Sequence, residues 1–227
     1  ATITVNISAL QLAERGFAAE VARALEANHL APQRLCLEIT ETALMDAGEP
    51  ITGTLRALHE LGIYLAIDDF GTGHSSLAQL RDLPVEVLKI DSSFVVGLDT
   101  SGEAAGFVTA ILSLAHVLGL YVVAEGVVTQ AQVRELAMRG CTVVQGARYS
   151  LGVKPERIPG LIRDGFRLSV NRRDRGHRHR SATQLRAASA EQFRASAPLP
   201  RWATGRGCRL LIAELMYQLG LPEESGR

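Results

Sequence analysis

Short apolar runs alternate with amphipathic segments along most of this 227-residue chain. Runs such as TITVNI, LCLEIT, IYLAID and YVVAE are typical of strands that are buried on both faces. We predict strands at residues 2–7, 35–40, 63–68, 86–90, 121–125 and 142–145. Apolar side chains recur at helical spacing in segments 17–30, 49–61 and 103–118. Strands that alternate with helices predict an α/β fold with a parallel sheet, either doubly wound or closed into a barrel.

Each predicted strand ends in a polar or ionisable side chain. In chain order these side chains are Asn6, Glu38, Asp68 with Asp69, Lys89 with Asp91, Glu125 and Gln145. An open sheet collects ligands mainly at one switch point, whereas a barrel collects one contribution per strand at its C-terminal mouth. A single acidic residue after a strand is often only a helix cap or a turn residue. Six strand ends in succession instead favour a barrel with a functional site at this mouth.

Four of these side chains are carboxylates that would face one mouth: Glu38, Asp68, Asp69 and Glu125. Buried carboxylates need compensating positive charge, and Lys89 supplies only one such charge. Oxygen donors without His or Cys favour one or two Mg²⁺ or Mn²⁺ ions over zinc. Two such ions promote in-line displacement at phosphorus, which indicates hydrolysis of a phosphodiester.

The sequence DDFGTGHSSL follows the third predicted strand. Gly71 and Gly73 permit a tight loop beside the acidic residues. Neither GxGxxG nor GK[ST] occurs, so nucleotide binding of the dehydrogenase or P-loop type is not supported. We interpret His74 as a loop residue rather than as a proton shuttle.

Six ordered segments resemble the EAL domain, a bacterial family of phosphodiesterases that hydrolyse the second messenger cyclic di-GMP to linear pGpG. The segments are NIS at 6–8, LEITET at 37–42, DDFGTGHSSL at 68–77, LKIDSSFV at 88–95, VVAEGV at 122–127 and GCTVVQG at 140–146. The resemblance implies a modified (β/α)₈ barrel, in agreement with the strand ends. It also implies cyclic di-GMP as the ligand and homodimers formed through the DDFGTG loop region.

The resemblance further implies the ligands of two Mg²⁺ or Mn²⁺ ions. Asn6, Glu38 and Asp68 resemble the ligands of the first ion. Asp68, Asp69 and Glu125 resemble the ligands of the second ion. On this basis the carboxylates of Asp69 and Glu125 also belong to the catalytic residues.

The remaining matches resemble further catalytic residues and residues of the substrate loop. Lys89 would hold the attacking water or a phosphate oxygen, and Gln145 would orient a metal-bound water. Glu41 would steady the DDFGTG loop, which includes Gly71 and Gly73. Asp91 resembles a site carboxylate next to Lys89.

Three departures from the family pattern concern activity. The Glu-Ala-Leu signature lies on an earlier strand and is absent, so we expect an N-terminally truncated domain with about six of eight β/α units. Val128 replaces a site carboxylate, since EGVVT stands for EGVET, and His74 replaces the tyrosine of GTGYSS. We expect impaired hydrolysis in this chain, and the alternative is a catalytically inactive cyclic di-GMP receptor or regulatory domain. Sensory or GGDEF domains would lie upstream in a full-length parent.

The formal net charge of zero combines two regions of opposite sign. Residues 1–168 contain 13 basic and 19 acidic residues, whereas residues 169–227 contain 11 basic and 5 acidic residues. We expect residues 1–168 to form the domain and 169–227 to be a disordered, arginine-rich tail with a short helix at 207–220. Such a tail could bind nucleic acid electrostatically. It lacks aromatic interleaving and any nucleic-acid module, so a solvated tail is favoured and no specific nucleic acid is expected.

The cysteine content and the hydropathy of the chain predict its cellular location. Cys36, Cys141 and Cys208 are odd in number and form no CxxC pair, so neither a disulfide framework nor a zinc site is indicated. No stretch of about 18 uncharged apolar residues occurs, and the first residues do not resemble an export signal. We expect a reducing, cytoplasmic location and no membrane segment in this chain.

Overall fold

Six parallel strands form one sheet, and their spatial order follows their order in the chain. The computed structural model describes residues 2–45, 48–73 and 77–160. The strands are β1 (Ile3–Asn6), β2 (Leu35–Thr40), β3 (Tyr64–Phe70), β4 (Val87–Ile90), β5 (Tyr121–Ala124) and β6 (Val143–Val144). Every strand lies within two residues of its predicted bounds. The expected α/β fold is confirmed as a parallel half-barrel of six strands with helices.

Helices connect the strands as the parallel topology requires. They are α1 (Ala9–Ala13), α2 (Phe17–Ala27), α3 (Glu41–Met45), α4 (Glu49–Glu60), α5 (Leu77–Asp82), α6 (Ser92–Val95), α7 (Gly102–Leu118) and α8 (Gln130–Met138). Single 3₁₀ turns lie at Pro32–Arg34 and Pro155–Arg157. The three predicted helices correspond to α2, α4 and α7. The other five have between four and nine residues and escape a periodicity argument because they are too short.

Local capping explains where the predicted helices end. Ser101 begins α7 by accepting a hydrogen bond from the Ala104 N–H, and Gly119 ends it in the left-handed conformation at φ 71°. The α2 helix ends earlier than predicted because the Asn28 side chain bonds the Ala24 carbonyl and His29 turns to φ 51°. Capping therefore sets the boundaries that hydrophobic periodicity leaves open.

The two faces of the sheet are filled differently. Branched side chains such as Ile67, Leu88 and Ile90 point to the helices and belong to the main core, where they are fully buried. Cys36 and Ala66 lie on the concave face, in a second cluster of smaller side chains with Val87 and Val123. Strands buried on both faces hold their carboxyl ends rigidly at one mouth, where the candidate site lies.

Several predictions concern residues outside those described. They are the end of the domain at residue 168, the disordered tail 169–227, its helix at 207–220 and the role of His74. In the described ranges, no helix is both long and apolar enough to cross a membrane.

Candidate functional site

Parallel register brings the polar strand ends of β1, β2 and β3 together. Asn6 stands opposite Glu38, and Thr40 stands opposite Asp68. The side chains of Glu38 and Asp68 are 4% and 14% exposed, whereas Asn6 is exposed at its strand end. The first three strands therefore contribute neighbouring oxygen donors to one rim of the sheet.

A β-bulge explains how two consecutive aspartates share this rim. In the register between β3 and β4, Ile67 pairs with Leu88 and Phe70 pairs with Ile90, so Asp68 and Asp69 together oppose Lys89. Asp69 adopts φ 54°, which is uncommon for a residue other than glycine. Consecutive side chains in a regular strand point to opposite faces, and the bulge changes this alternation. Asp69 therefore belongs to the same acidic cluster as Asp68.

Lys89 stands at the centre of the site. Its Nζ lies 2.7 Å from Glu38 Oε2, 2.9 Å from Asp68 Oδ1 and 2.6 Å from Glu125 Oε1. The lysine side chain is only 3% exposed, so these are ion pairs in a poorly solvated environment. An ammonium group has three N–H donors, and three carboxylates match them.

Burial and charge shift the proton affinities of these groups in different directions. Burial raises the pKa of Glu38 to about 7, although the Lys89 ammonium opposes this shift. Burial also raises the pKa of Glu125 and of Asp69, and Asp68 adds to both shifts through its negative charge. Burial opposes ionisation of Lys89, but the carboxylates of Glu38 and Glu125 raise its pKa above the ordinary value. One ammonium thus balances four carboxylates only in part.

The donor atoms fit a divalent cation. One carboxylate oxygen from each of Asp68, Asp69 and Glu125 lies within 4.8 Å of the other two. Glu38 Oε1 and Gln145 Oε1 are buried and accept no hydrogen bond within the described part of the chain. Hard oxygen donors around excess negative charge suit Mg²⁺, Mn²⁺ or Ca²⁺.

Asp91 and Gln145 complete the set of predicted strand-end residues. Asp91 caps α6, because its Oδ1 accepts a hydrogen bond from the Ser93 N–H at 2.9 Å. A hydrogen bond with the Ser93 side chain lowers the pKa of Asp91 most, and the bond from the Ser93 N–H adds to this shift. The Asp91 charge contributes to the raised pKa of Asp69. The Gln145 backbone N–H bonds the Ala124 carbonyl at 2.8 Å, which places Gln145 beside the end of β5. Both residues lie at the same mouth as the carboxylates.

Glu41 connects the second strand end to the DDFGTG loop. Its side chain is buried, and Oε2 accepts hydrogen bonds from the N–H groups of Gly71 at 2.7 Å and Gly73 at 3.4 Å. A β-carbon added to Gly73 would lie 2.9 Å from Glu41 Oε1, so this glycine leaves room for the carboxylate. Two glycine N–H groups and one buried carboxylate thus determine the shape of the loop.

We expect Gly71→Ala to destabilise the protein by about 1–3 kcal/mol. Gly71 has φ +98°, and a β-carbon there would lie 2.7 Å from a ring carbon of Phe94. Gly53→Ala in α4 is the matched control, because no heavy atom lies within 4 Å of its added β-carbon. The control should be more stable than the wild type, since alanine favours helix more than glycine does. Urea denaturation measures both changes, and equal effects would contradict the role assigned to Gly71.

Gln132 lies beneath the loop that follows β5 and was not among the predicted site residues. Its side chain is 4% exposed and bonds the backbone of that loop. Thr129 and Gln132 form a capping box at the start of α8. The T-x-x-Q spacing is the sequence signal that could have identified this residue.

Comparisons with known proteins agree with this arrangement. The sequence profile described as EAL domain matches residues 1–151. MucR of Pseudomonas aeruginosa, described as a bifunctional diguanylate cyclase/cyclic di-GMP phosphodiesterase, is 43% identical over 144 residues. This match covers 63% of the present chain and 21% of MucR. The chain spans about a fifth of the length of the curated relatives that head the comparison.

Solved structures show the same fold. The structure described as PaMucR phosphodiesterase in complex with c-di-GMP superposes with a TM-score of 0.66 at 40% identity. It covers 69% of the present chain, which in turn covers 64% of that chain. The EAL domain of Mycobacterium smegmatis DcpA superposes with a TM-score of 0.69 at 38% identity, over 72% of this chain and 74% of that one.

Proposed function

The chain belongs to the EAL domain family, and from this premise we propose that it carries the centre of a phosphodiesterase that hydrolyses cyclic di-GMP to linear pGpG. The observation that carries the proposal is the acidic cluster around Lys89 at the mouth of a parallel half-barrel. MucR is described as a cyclic di-GMP phosphodiesterase, and its solved structure is a complex with c-di-GMP. The full-length protein would couple this centre to upstream sensory or GGDEF domains.

We assign two ions, Mg²⁺ or Mn²⁺, to the oxygen donors of this cluster. Asn6, Glu38 and Asp68 would hold one ion, and Asp68, Asp69 and Glu125 would hold the other. When bound, such ions make a coordinated water acidic and stabilise the oxygen that leaves phosphorus. The unpartnered oxygen of Glu38 and the close approach of Asp68, Asp69 and Glu125 support this assignment.

Other side chains of the site would act on the substrate. The Lys89 ammonium would attract a phosphate oxygen or hold the attacking water through its N–H donors. The free Oε1 of Gln145 would accept a hydrogen bond from that water and orient it. Glu41 would keep the DDFGTG loop closed on the mouth through Gly71 and Gly73. Asp91 would fix the start of α6 next to Lys89.

Product analysis and calorimetry test this function together. Cyclic di-GMP is incubated with the 227-residue chain and with its full-length parent, in the presence of Mn²⁺, Mg²⁺ or EDTA, and pGpG is quantified. Calorimetry measures the binding of cyclic di-GMP under the same conditions. We expect pGpG from the parent with either ion, less pGpG from the 227-residue chain, and none from either protein with EDTA. Cyclic di-GMP binding without pGpG in any metal condition would contradict hydrolysis.

The second candidate function is a catalytically inactive cyclic di-GMP receptor. Val128 favours it, because this apolar side chain is 55% exposed on the loop after Glu125, where the family pattern has a carboxylate. Val128→Glu separates the two functions. If restoring the carboxylate produces turnover that the wild type lacks, the chain is a receptor derived from an enzyme.

We also propose that the domain forms homodimers through the DDFGTG loop region. Val96 and Phe107 are 67% and 51% exposed, and the Phe107 ring lies 6.0 Å from that of Phe94. Phe94 in turn packs against Gly71 of the loop, so this apolar surface borders the site. Sedimentation of the wild type and of Phe107→Glu should show a dimer only for the wild type.

We propose a cytoplasmic location for the domain, because three cysteines without a CxxC pair fit a reducing compartment.

Divalent ions should stabilise the fold, and more strongly at pH 7.5 than at pH 5.5. The pKa of Glu38 rises from 4.5 to about 7 on folding, so its contribution to stability is complete below pH 4.5 and is lost as the pH rises through 7. A bound cation favours the ionised carboxylate and offsets this loss. At 100 times the dissociation constant, Mn²⁺ adds about 2.7 kcal/mol. Thermal denaturation should show a midpoint higher by roughly 5–10 °C at pH 7.5, and an equal shift at pH 5.5 would contradict the prediction.

A further inference from the structure

The segment that carries Glu125 is a short loop between β5 and α8. Glu125 follows the last residue of the strand, and Thr129 caps the helix. On one side the loop bonds the end of β6, because the Val127 N–H donates to the Gln145 carbonyl at 3.0 Å. On its other side the Glu125 N–H donates to the carbonyl of Ile90 in β4 at 3.1 Å. In the described part of the chain, the N–H groups of Val128 and Thr129 bond no strand. The orientation of the Glu125 carboxylate therefore depends on the β4 contact and on what holds the rest of this loop.

One buried side chain forms hydrogen bonds with the backbone of this loop. Gln132 Oε1 accepts hydrogen bonds from the N–H groups of Val128 and Thr129, each at 2.9 Å. Only the second of these bonds belongs to an ordinary capping box, which joins the N3 side chain to the N-cap backbone. The bond from the Val128 N–H also fixes the backbone of the residue that precedes the N-cap.

The same side chain connects the loop to another element of the site. Gln132 Nε2 donates to the carbonyl of Val95, the last residue of α6, at 3.1 Å. The α6 helix begins directly after Asp91, two residues beyond Lys89. Gly126 packs tightly on the same helix, since an added β-carbon would collide with Ser92. Gln132 thus connects the loop of Glu125 to the helix that follows Lys89.

A second capping box in the chain lacks this connection. In the box that begins α1, Gln11 Oε1 accepts hydrogen bonds from the N–H and the hydroxyl of Ser8. Ser8 is also the N-cap, so these bonds stay within the start of one helix. The two glutamines therefore share the capping function and differ in the contact with a separate element.

We propose that Gln132 is a positioning residue that sets the distance between the Glu125 carboxylate and the other metal ligands, an inference that rests on the proposed function. In the described ranges its side chain forms hydrogen bonds with Val128, Thr129 and Val95, and none with Lys89 or Glu125. It acts through the backbone of the loop, which it fixes to α6. Outer partners of this kind change metal affinity or activity by about 10–100-fold.

Mn²⁺ affinity, measured by calorimetry on the whole chain without nucleotide, is the primary readout. Gln132→Met removes all three hydrogen bonds and should weaken Mn²⁺ binding by about 10–100-fold. Gln132→Glu keeps the oxygen acceptor and loses the donor to Val95, so it should show a smaller loss. Gln11→Met is the matched control and should retain the wild-type affinity, although it loses a capping interaction. If Gln132→Met does not fold, Gln132→Glu alone decides the outcome.

Turnover provides a second readout that a role in stability alone would not produce. In Gln132→Met, pGpG production should approach the wild-type kcat at saturating Mn²⁺ and be lost at low Mn²⁺. Unchanged Mn²⁺ affinity in both Gln132 variants, equal losses in Gln132→Met and Gln11→Met, or no Mn²⁺ binding by the wild type would each overturn the proposal. If the Gln132 variants show the expected losses of Mn²⁺ affinity but no protein produces pGpG, the proposed function is contradicted and the positioning role stays intact.

Discussion

Replacing Lys89 by methionine should destabilise the protein by about 3–5 kcal/mol, the cost of removing one partner from a buried ion pair. Methionine is similar in length but carries no charge, so Glu38, Asp68 and Glu125 would lose the ammonium that each of them contacts. This loss is a large share of the 5–15 kcal/mol by which domains are usually stable. Urea denaturation of both proteins in EDTA measures the difference.

Lys154 provides the matched control for this substitution. It is the other lysine of the chain and is exposed, so Lys154→Met should change stability by less than about 0.5 kcal/mol. Lys89→Arg keeps the positive charge and should lose less stability than Lys89→Met. Addition of Mn²⁺ should restore part of the loss in Lys89→Met. A loss of less than about 1 kcal/mol, well short of the range for buried pairs, would mean that the carboxylates do not depend on this ammonium.

Replacing Asp68 by asparagine should abolish pGpG production. Asp68 is the only carboxylate that we assign to both ions, and it also contacts Lys89 at 2.9 Å. We expect a loss of at least about 100-fold, the upper end of the effect seen for outer partners of a metal ligand. The amide keeps the shape of the side chain and removes one of several like charges. The free energy of unfolding in EDTA should therefore stay within about 1 kcal/mol of the wild-type value.

The controls for Asp68→Asn separate chemistry from folding. Asp82→Asn makes the same change at a carboxylate that is 69% exposed and paired with Arg81 on the surface, so it should leave turnover unaltered. Glu125→Gln should cause a loss as severe as that of Asp68→Asn, because Glu125 is assigned to the second ion. Full turnover in either site variant, with normal folding, would exclude the two-ion assignment.

Much of the fold followed from the apolar strands and from what stands at their ends. Parallel strands place their carboxyl ends at one edge, so the order Asn6, Glu38, Asp68 and Lys89 along the chain is also an order in space. This is why a one-dimensional pattern could predict neighbours that lie 21 to 32 residues apart. Long helices such as α7 could be predicted equally well from the sequence, since several turns repeat the same apolar face.

Features that depend on the backbone conformation of a single residue, or on contacts between distant segments, could not be predicted in this way. The left-handed conformation of Asp69 and its bulge depart from the extended backbone of a regular strand, and no local sequence pattern predicts them. The contact of Glu41 with Gly71 joins elements 30 residues apart, and only the family resemblance suggested it. Gln132 looks like an ordinary helix cap in sequence, because its bond to Val95 exists only once α6 and α8 are packed.

Because spatial order follows chain order, the charges of the site are divided along the sheet. Glu38, Asp68 and Asp69 lie on β2 and β3, whereas the ammonium of Lys89 lies on β4. Without β4, these carboxylates would repel one another without a compensating charge. Pairing of β4 with β3 therefore converts a repulsive group of charges into an attractive one. The fourth strand thus gives the sheet an electrostatic stabilisation in addition to its backbone hydrogen bonds.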